Sequence, residues 1–87
     1  MKRDFYEVMS YIIISKLYCL AVGQFVEHHG HKPSSYDDVV LMKKIFSVLD
    51  MIDADLEATE RLLGDKYEIA DYIVKSIWDR GIIDVIA

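Results

Sequence analysis

Six residues able to bind a metal crowd into thirteen: "VEHHGHKPSSYDD", Val26 to Asp38, holds Glu27, His28, His29, His31, Asp37 and Asp38. Zinc takes three or four ligands held in a tetrahedron, and Glu27, His28, His31 and Asp37 are the set that would have to gather. Gly30 falls between His28 and His31, and no HExxH or paired CxxC accompanies them. Each residue also has a plainer use. Histidines in the last turn of a helix suit the negative end of its dipole, and aspartates in the first turn of the next suit the positive end. The stretch reads as the corner between two helices.

The carboxylates are the second group with chemical potential. Asp50, Asp53, Glu57 and Glu60 fall within about 80° of arc on one helix face. Such a stripe usually marks a solvated face. Glu57-x-x-Glu60 is followed, across Gly64-Asp65, by Glu68-x-x-Asp71. In an antiparallel helix pair with a tight turn, these four carboxylates approach one another. They would repel unless a hard cation such as Mg²⁺ neutralised them. Nucleophilic catalysis has little to build on. Cys19 lies inside an apolar helical run, the serines form no elbow motif, and there is no glycine-rich phosphate loop.

Three helices must position these groups. The first is expected over Lys2–His29, with no proline inside it and Gly30 as the residue that ends it. Pro33 holds Lys32 extended. Ser34 and Ser35 are both good N-caps, and Ser35 with Asp38 resembles a capping box. The second helix is expected from Tyr36 to Leu63. Met42, Leu49, Leu56 and Leu63 recur every seven residues, with Ile45, Ile52 and Thr59 three further on from the first three. This is an unbroken a/d pattern. The aspartates of "DMIDAD", Asp50 to Asp55, are the point at which it would be interrupted. The third helix starts at Asp65 as its cap, with Glu68 at the capping-box position, and stops at Gly81. Ala70, Ile73, Val74 and Ile77 form its apolar stripe. The tail "IIDVIA" is too short to stand alone and is expected to pack across the bundle or against another chain. The fold class is therefore all-α, a single helical domain over 1–87: a long antiparallel hairpin, a third helix and a short apolar C-terminal tail.

The first helix is apolar nearly all round between Tyr11 and Val22. Ile12, Ile13, Leu17, Cys19, Leu20 and Val26 cover one side, and Tyr11, Ile14, Tyr18, Ala21, Val22 and Phe25 the other. Tyr11, Tyr18 and Phe25 are spaced by seven and form one line. Either the third helix and the tail cover that line, or it is an interface, where aromatic side chains are enriched.

Composition narrows the function classes. Of the 87 residues, 53% are hydrophobic, while a chain this short buries only about 60–65% of its unfolded surface. Self-association is expected to cover the surplus. Net charge is −5, from 15 acidic and 10 basic residues. That disfavours direct binding to nucleic-acid phosphates and favours a cationic protein or a divalent cation. A single cysteine suits a reducing compartment, so the expected location is cytoplasmic. The run "YIIISKLYCLAVGQFV" contains Ser15, Lys16, Gly23 and Gln24, and a spanning helix needs roughly 20 mainly apolar residues. Asp4 and Glu7 precede it, unlike a signal peptide. It reads as a buried helix with no membrane role.

One family resemblance bears on the carboxylates. "EATERLLGDKYEIADYIVKSIWDRGIID", Glu57 to Asp84, resembles the closing half of the MazG-type all-α nucleotide pyrophosphohydrolases; "EIADYIV" followed by "RGIID" is the closest part. In that family, acidic ExxE and ExxD motifs on neighbouring helices bind Mg²⁺ and a nucleoside triphosphate. The resemblance implies Glu57, Glu60, Glu68 and Asp71 as metal ligands. Asp53 and Ala54 stand where the family's first motif opens with paired glutamates.

The favoured expectation is non-enzymatic, with no cofactor: a homodimeric acidic adaptor, regulator or inhibitor of a cationic, for example nucleic-acid-handling, protein. Its interaction face comprises Tyr11, Tyr18, Phe25, Asp50, Asp53, Glu57 and Glu60. The alternative is a MazG-like, Mg²⁺-dependent nucleoside triphosphate pyrophosphohydrolase.

Overall fold

The computed structural model describes residues 2–59, 61 and 65–85, with the backbone alone for residues 2 and 3. The described residues form helices α1 (Lys2–His29), α2 (Ser35–Phe46), α3 (Leu49–Thr59) and α4 (Lys66–Asp79), and no strand. The expected all-α bundle is what forms, 40 × 20 × 17 Å in extent.

The first helix has the expected bounds. The Gly30 N–H donates to the Val26 carbonyl at 2.8 Å, and Gly30 takes φ +76°. A side chain there would meet its own backbone, which is why glycine ends α1. Gly81 closes α4 in the same way at φ +69°.

The capping box belongs to Ser34 and Asp37, one residue earlier than the Ser35 and Asp38 pairing expected. Ser34 Oγ accepts from the Asp37 N–H at 3.1 Å, and Asp37 Oδ2 accepts from the Ser34 N–H at 3.0 Å. The hydrogen bonds from the Ser34 backbone and side chain hold the Asp37 carboxyl below its ordinary pKa. A depressed carboxylate stabilises the fold above its unfolded pKa, about 4, and that contribution is lost as pH falls through the folded value. Ser34→Ala should therefore cost about 0.5–2 kcal/mol at neutral pH. In thermal melts its deficit relative to wild type should shrink below about pH 4. A deficit independent of pH would mean the reciprocal bonds are not what stabilises this turn.

The second helix does not run unbroken to Leu63. It bends at Ser47–Val48, between α2 and α3, a turn earlier than the aspartates of Asp50–Asp55. Ser47 Oγ donates to the Lys44 carbonyl at 2.6 Å. The Val48 N–H reaches back three residues to Ile45 at 3.1 Å, while the Ile52 N–H resumes the four-residue pattern to Val48 at 3.0 Å. One tightened turn thus joins two helices, and a serine bonding to its own helix backbone favours such a bend. Both pieces pack on α1, so the hairpin stands with its second arm kinked. The buried residues of that arm are Leu41, Ile45, Val48, Ile52, Leu56 and Thr59. Met42 and Leu49, assigned to the seam by the seven-residue repeat, are only half-buried; Leu41 and Val48 take their places. Steps of four and three from the buried Ile45 and Ile52 reach Leu41, Val48 and Leu56, which leaves Met42 and Leu49 at the edge of the buried face.

Asp65 caps α4, its carboxylate accepting from the Tyr67 N–H at 2.7 Å. The stripe Ile69, Ala70, Ile73, Val74 and Ile77 is buried. Ile83 and Val85 of the tail pack into the same core, and Lys44 Nζ donates to the Asp84 carbonyl. As far as Val85, the tail therefore closes on its own bundle.

On α1 the buried residues are Met9, Ile13, Leu17, Ala21 and Phe25. They follow a single i, i+4 ridge that α2, α3 and α4 share. This ridge crosses both of the sides read from the sequence. Among the described residues, Asp4–His29 is the one helix stretch long and apolar enough to cross a membrane by length and composition, and 28% of its apolar 18-residue segment is buried inside the bundle.

Candidate interaction surface

The Tyr11, Tyr18 and Phe25 line separates into three environments. Tyr11 is 63% exposed, Tyr18 is half-buried, and Phe25 is core. The Tyr18 hydroxyl donates to Asp38 Oδ1 at 2.5 Å. Asp37 is engaged in the cap, which leaves Asp38 to meet α1. The bond to Asp38, then burial, raises the phenol above its ordinary pKa. A raised value means the neutral phenol is the folded form. Its stabilising contribution is present below about pH 10 and lost as pH rises through the folded pKa.

Phe25 carries the histidine corner. Its ring lies 4.2 Å from His29 and 5.6 Å, edge-on, from His31. His28 stands edge-on to His29 at 5.1 Å. His29 and His31 pack tilted and edge-on against a buried phenyl, with His28 against His29, and His31 Nδ1 lies 2.9 Å from the Lys32 carbonyl oxygen. Among the described residues, no three His, Cys, Asp or Glu side chains are grouped to hold a metal ion.

On α3, Asp50, Asp53 and Glu57 are all exposed and have no ion-pair partner among the described residues. Glu60 lies outside the described residues, so the four-carboxylate cluster is only partly in view. Glu68, in the first turn of α4, is exposed. Asp71 is committed elsewhere: its carboxylate pairs with Lys16 of α1 at 3.1 Å. Asp55 faces inward from the same helix as the acidic stripe. Its Oδ2 is buried without a hydrogen bond, with the Arg80 guanidinium 3.7 Å away. That separation gives Coulombic attraction but exceeds hydrogen-bond length.

Sequence reasoning missed the outer face of α1. Opposite its buried ridge lie Val8, Ile12, Ser15, Cys19, Val22 and Val26, a run of alternating four- and three-residue steps with no charge in it. Val8 and Val26 are 48% and 37% exposed; Ser15 and Cys19 are exposed, and Ile12 and Val22 half-buried. The signal was present in that spacing. It was masked because α1 is apolar on every side.

The described residues form a small all-α bundle with an exposed acidic face on α3 and exposed apolar residues on α1 and on α2, where Tyr36, Val39 and Phe46 are 77%, 53% and 49% exposed. No protein-family model, curated protein or solved structure matches the chain.

Proposed function

We propose that this chain is a homodimeric, acidic interaction module of the cytoplasm that serves as adaptor, regulator or inhibitor of a cationic protein. The observation that carries the reading is the α3 face: Asp50, Asp53 and Glu57 are exposed together without ion-pair partners among the described residues, in a chain of net charge −5. Unpaired like charges on one rigid face repel one another. A partner presenting lysine or arginine relieves that repulsion and is steered to the face through the long-range field. The imidazoles of His29 and His31 pack on Phe25 and Asp71 is paired with Lys16, whereas the α3 stripe is exposed and has no ion-pair partner among the described residues.

The test is affinity capture from a lysate of the source cells. Wild type is compared with a chain carrying Asp50→Lys, Asp53→Lys and Glu57→Lys, followed by mass-spectrometric identification. Basic proteins retained by wild type, released as salt rises and absent from the variant are the expected result. An identical captured set from both chains would refute the docking face.

A further inference from the structure

We propose that the outer face of α1 is covered by α1 of a second copy, running antiparallel about a two-fold axis that passes between Ser15 and Cys19. This names the surface for the homodimeric part of the function above and does not depend on its acidic face.

The seam has the 4-3 spacing of helices that pack at a shallow angle, and it is symmetric about its own centre. An antiparallel partner sets Val8 opposite Val26 of the second copy, Ile12 opposite Val22, and Ser15 opposite Cys19. Larger aliphatic residues then meet at both ends and small ones where the helices cross. Gly23, beside the seam, has open space where a Cβ would stand, so nothing in the same chain fills that flank.

Area and charge decide the rest. The seam runs about 27 Å and is about 10 Å wide, on the order of 300 Å² per copy. A stable interface needs roughly 800 Å² per partner. The difference must come from the groove beside α1, a cleft of about 550 Å³ lined by Ser15, Lys16, Cys19, Leu20, Asp71 and Val74. It continues past Leu20 to Gln24, Glu27 and Trp78. Lys16 and Asp71, 3.1 Å apart and exposed by 43% and 68%, are the charges at mid-groove. Lys16 adjoins the centre of the seam, so the two-fold brings the two ion pairs together, each Lys16 meeting Asp71 of the second copy. Four charges of alternating sign close the middle of the interface. A hydrocarbon surface would offer that pair no counter-charges, and the seam itself carries no carboxylate to draw a cationic partner onto it.

Sedimentation equilibrium at micromolar concentration should give about twice the monomer mass of 10.1 kDa. Cys19→Glu places a charge at the crossing, on an exposed position, and should return the monomer mass with an unchanged helical circular dichroism spectrum. Asp53→Lys should leave the dimer intact, so failure of the seam is separable from failure of the acidic docking face. Register is read by oxidative crosslinking. Ser15→Cys should form disulfide dimers with Cys19 of the second copy, whereas wild type should not, since Cys19 does not face itself in an antiparallel pair. A monomeric wild type, a dimer indifferent to Cys19→Glu, efficient Cys19–Cys19 crosslinking in wild type, or binding of the monomer to phosphatidylcholine vesicles would each overturn the proposal.

Discussion

Phe25→Ala should destabilise the chain by about 3–5 kcal/mol, more than the loss of any aliphatic side chain on the same ridge. Phe25 is 7% exposed. It is both the last rung of the buried α1 ridge and the platform for His29 and His31. Removing the ring opens a cavity at the point where α1 hands over to α2 and leaves the imidazoles without the face they rest on. For 87 residues, total stability of about 4–13 kcal/mol is the ordinary range, so the variant should be close to unfolding. Urea titration followed by circular dichroism measures this, with a histidine proton spectrum as a local readout. A midpoint close to wild type would show that the corner is not seated on Phe25.

Leu17→Ala should cost about 2–5 kcal/mol. Leu17 is fully buried at the middle of the same ridge, so its neighbours are held from several sides and cannot collapse into the space. Leu20, three residues on, is 41% exposed in the single chain, and in the Cys19→Glu background, where the second copy is displaced, Leu20→Ala should stay within about 0.5 kcal/mol. The contrast between two leucines of one helix tests the assigned face directly. Equal losses would mean α1 buries a different side.

The residues that could be read correctly from sequence are those whose backbone chemistry admits few alternatives. Gly30 and Gly81 were legible as helix ends because a positive φ excludes most other residues, and Asp65 as a cap because a carboxylate there accepts an orphan N–H. The bend at Ser47 was not legible. Serine is a common helix-surface residue, and the seven-residue repeat from Met42 to Leu63 passes through it without a break. The buried ridge of α1 was hidden for a different reason. Hydrophobic periodicity picks a face only when another face is polar, and α1 has apolar residues on all sides, so the packing of α2, α3 and α4 decides. For the same cause Tyr11, Tyr18 and Phe25 look equivalent in sequence and are not. The acidic stripe was easier: carboxylates seldom bury without partners, and Asp50, Asp53 and Glu57 lie where that rule puts them. Asp55 departs from the stripe because Arg80, at the far end of α4, supplies it with a counter-charge.

The proposal that this chain binds rather than catalyses is tested most directly by pyrophosphate release from a panel of nucleoside triphosphates with Mg²⁺. Wild type, Asp53→Asn and Glu57→Gln are compared, each also melted without metal. The expected result is no release above the protein-free control for all three chains. The two variants should also show similar small changes in melting temperature, since both positions belong to one diffuse surface field. Release by wild type that survives Asp53→Asn and is lost in Glu57→Gln, with the Glu57→Gln apo form stabilised, would contradict the binding role and assign Glu57 to a metal site.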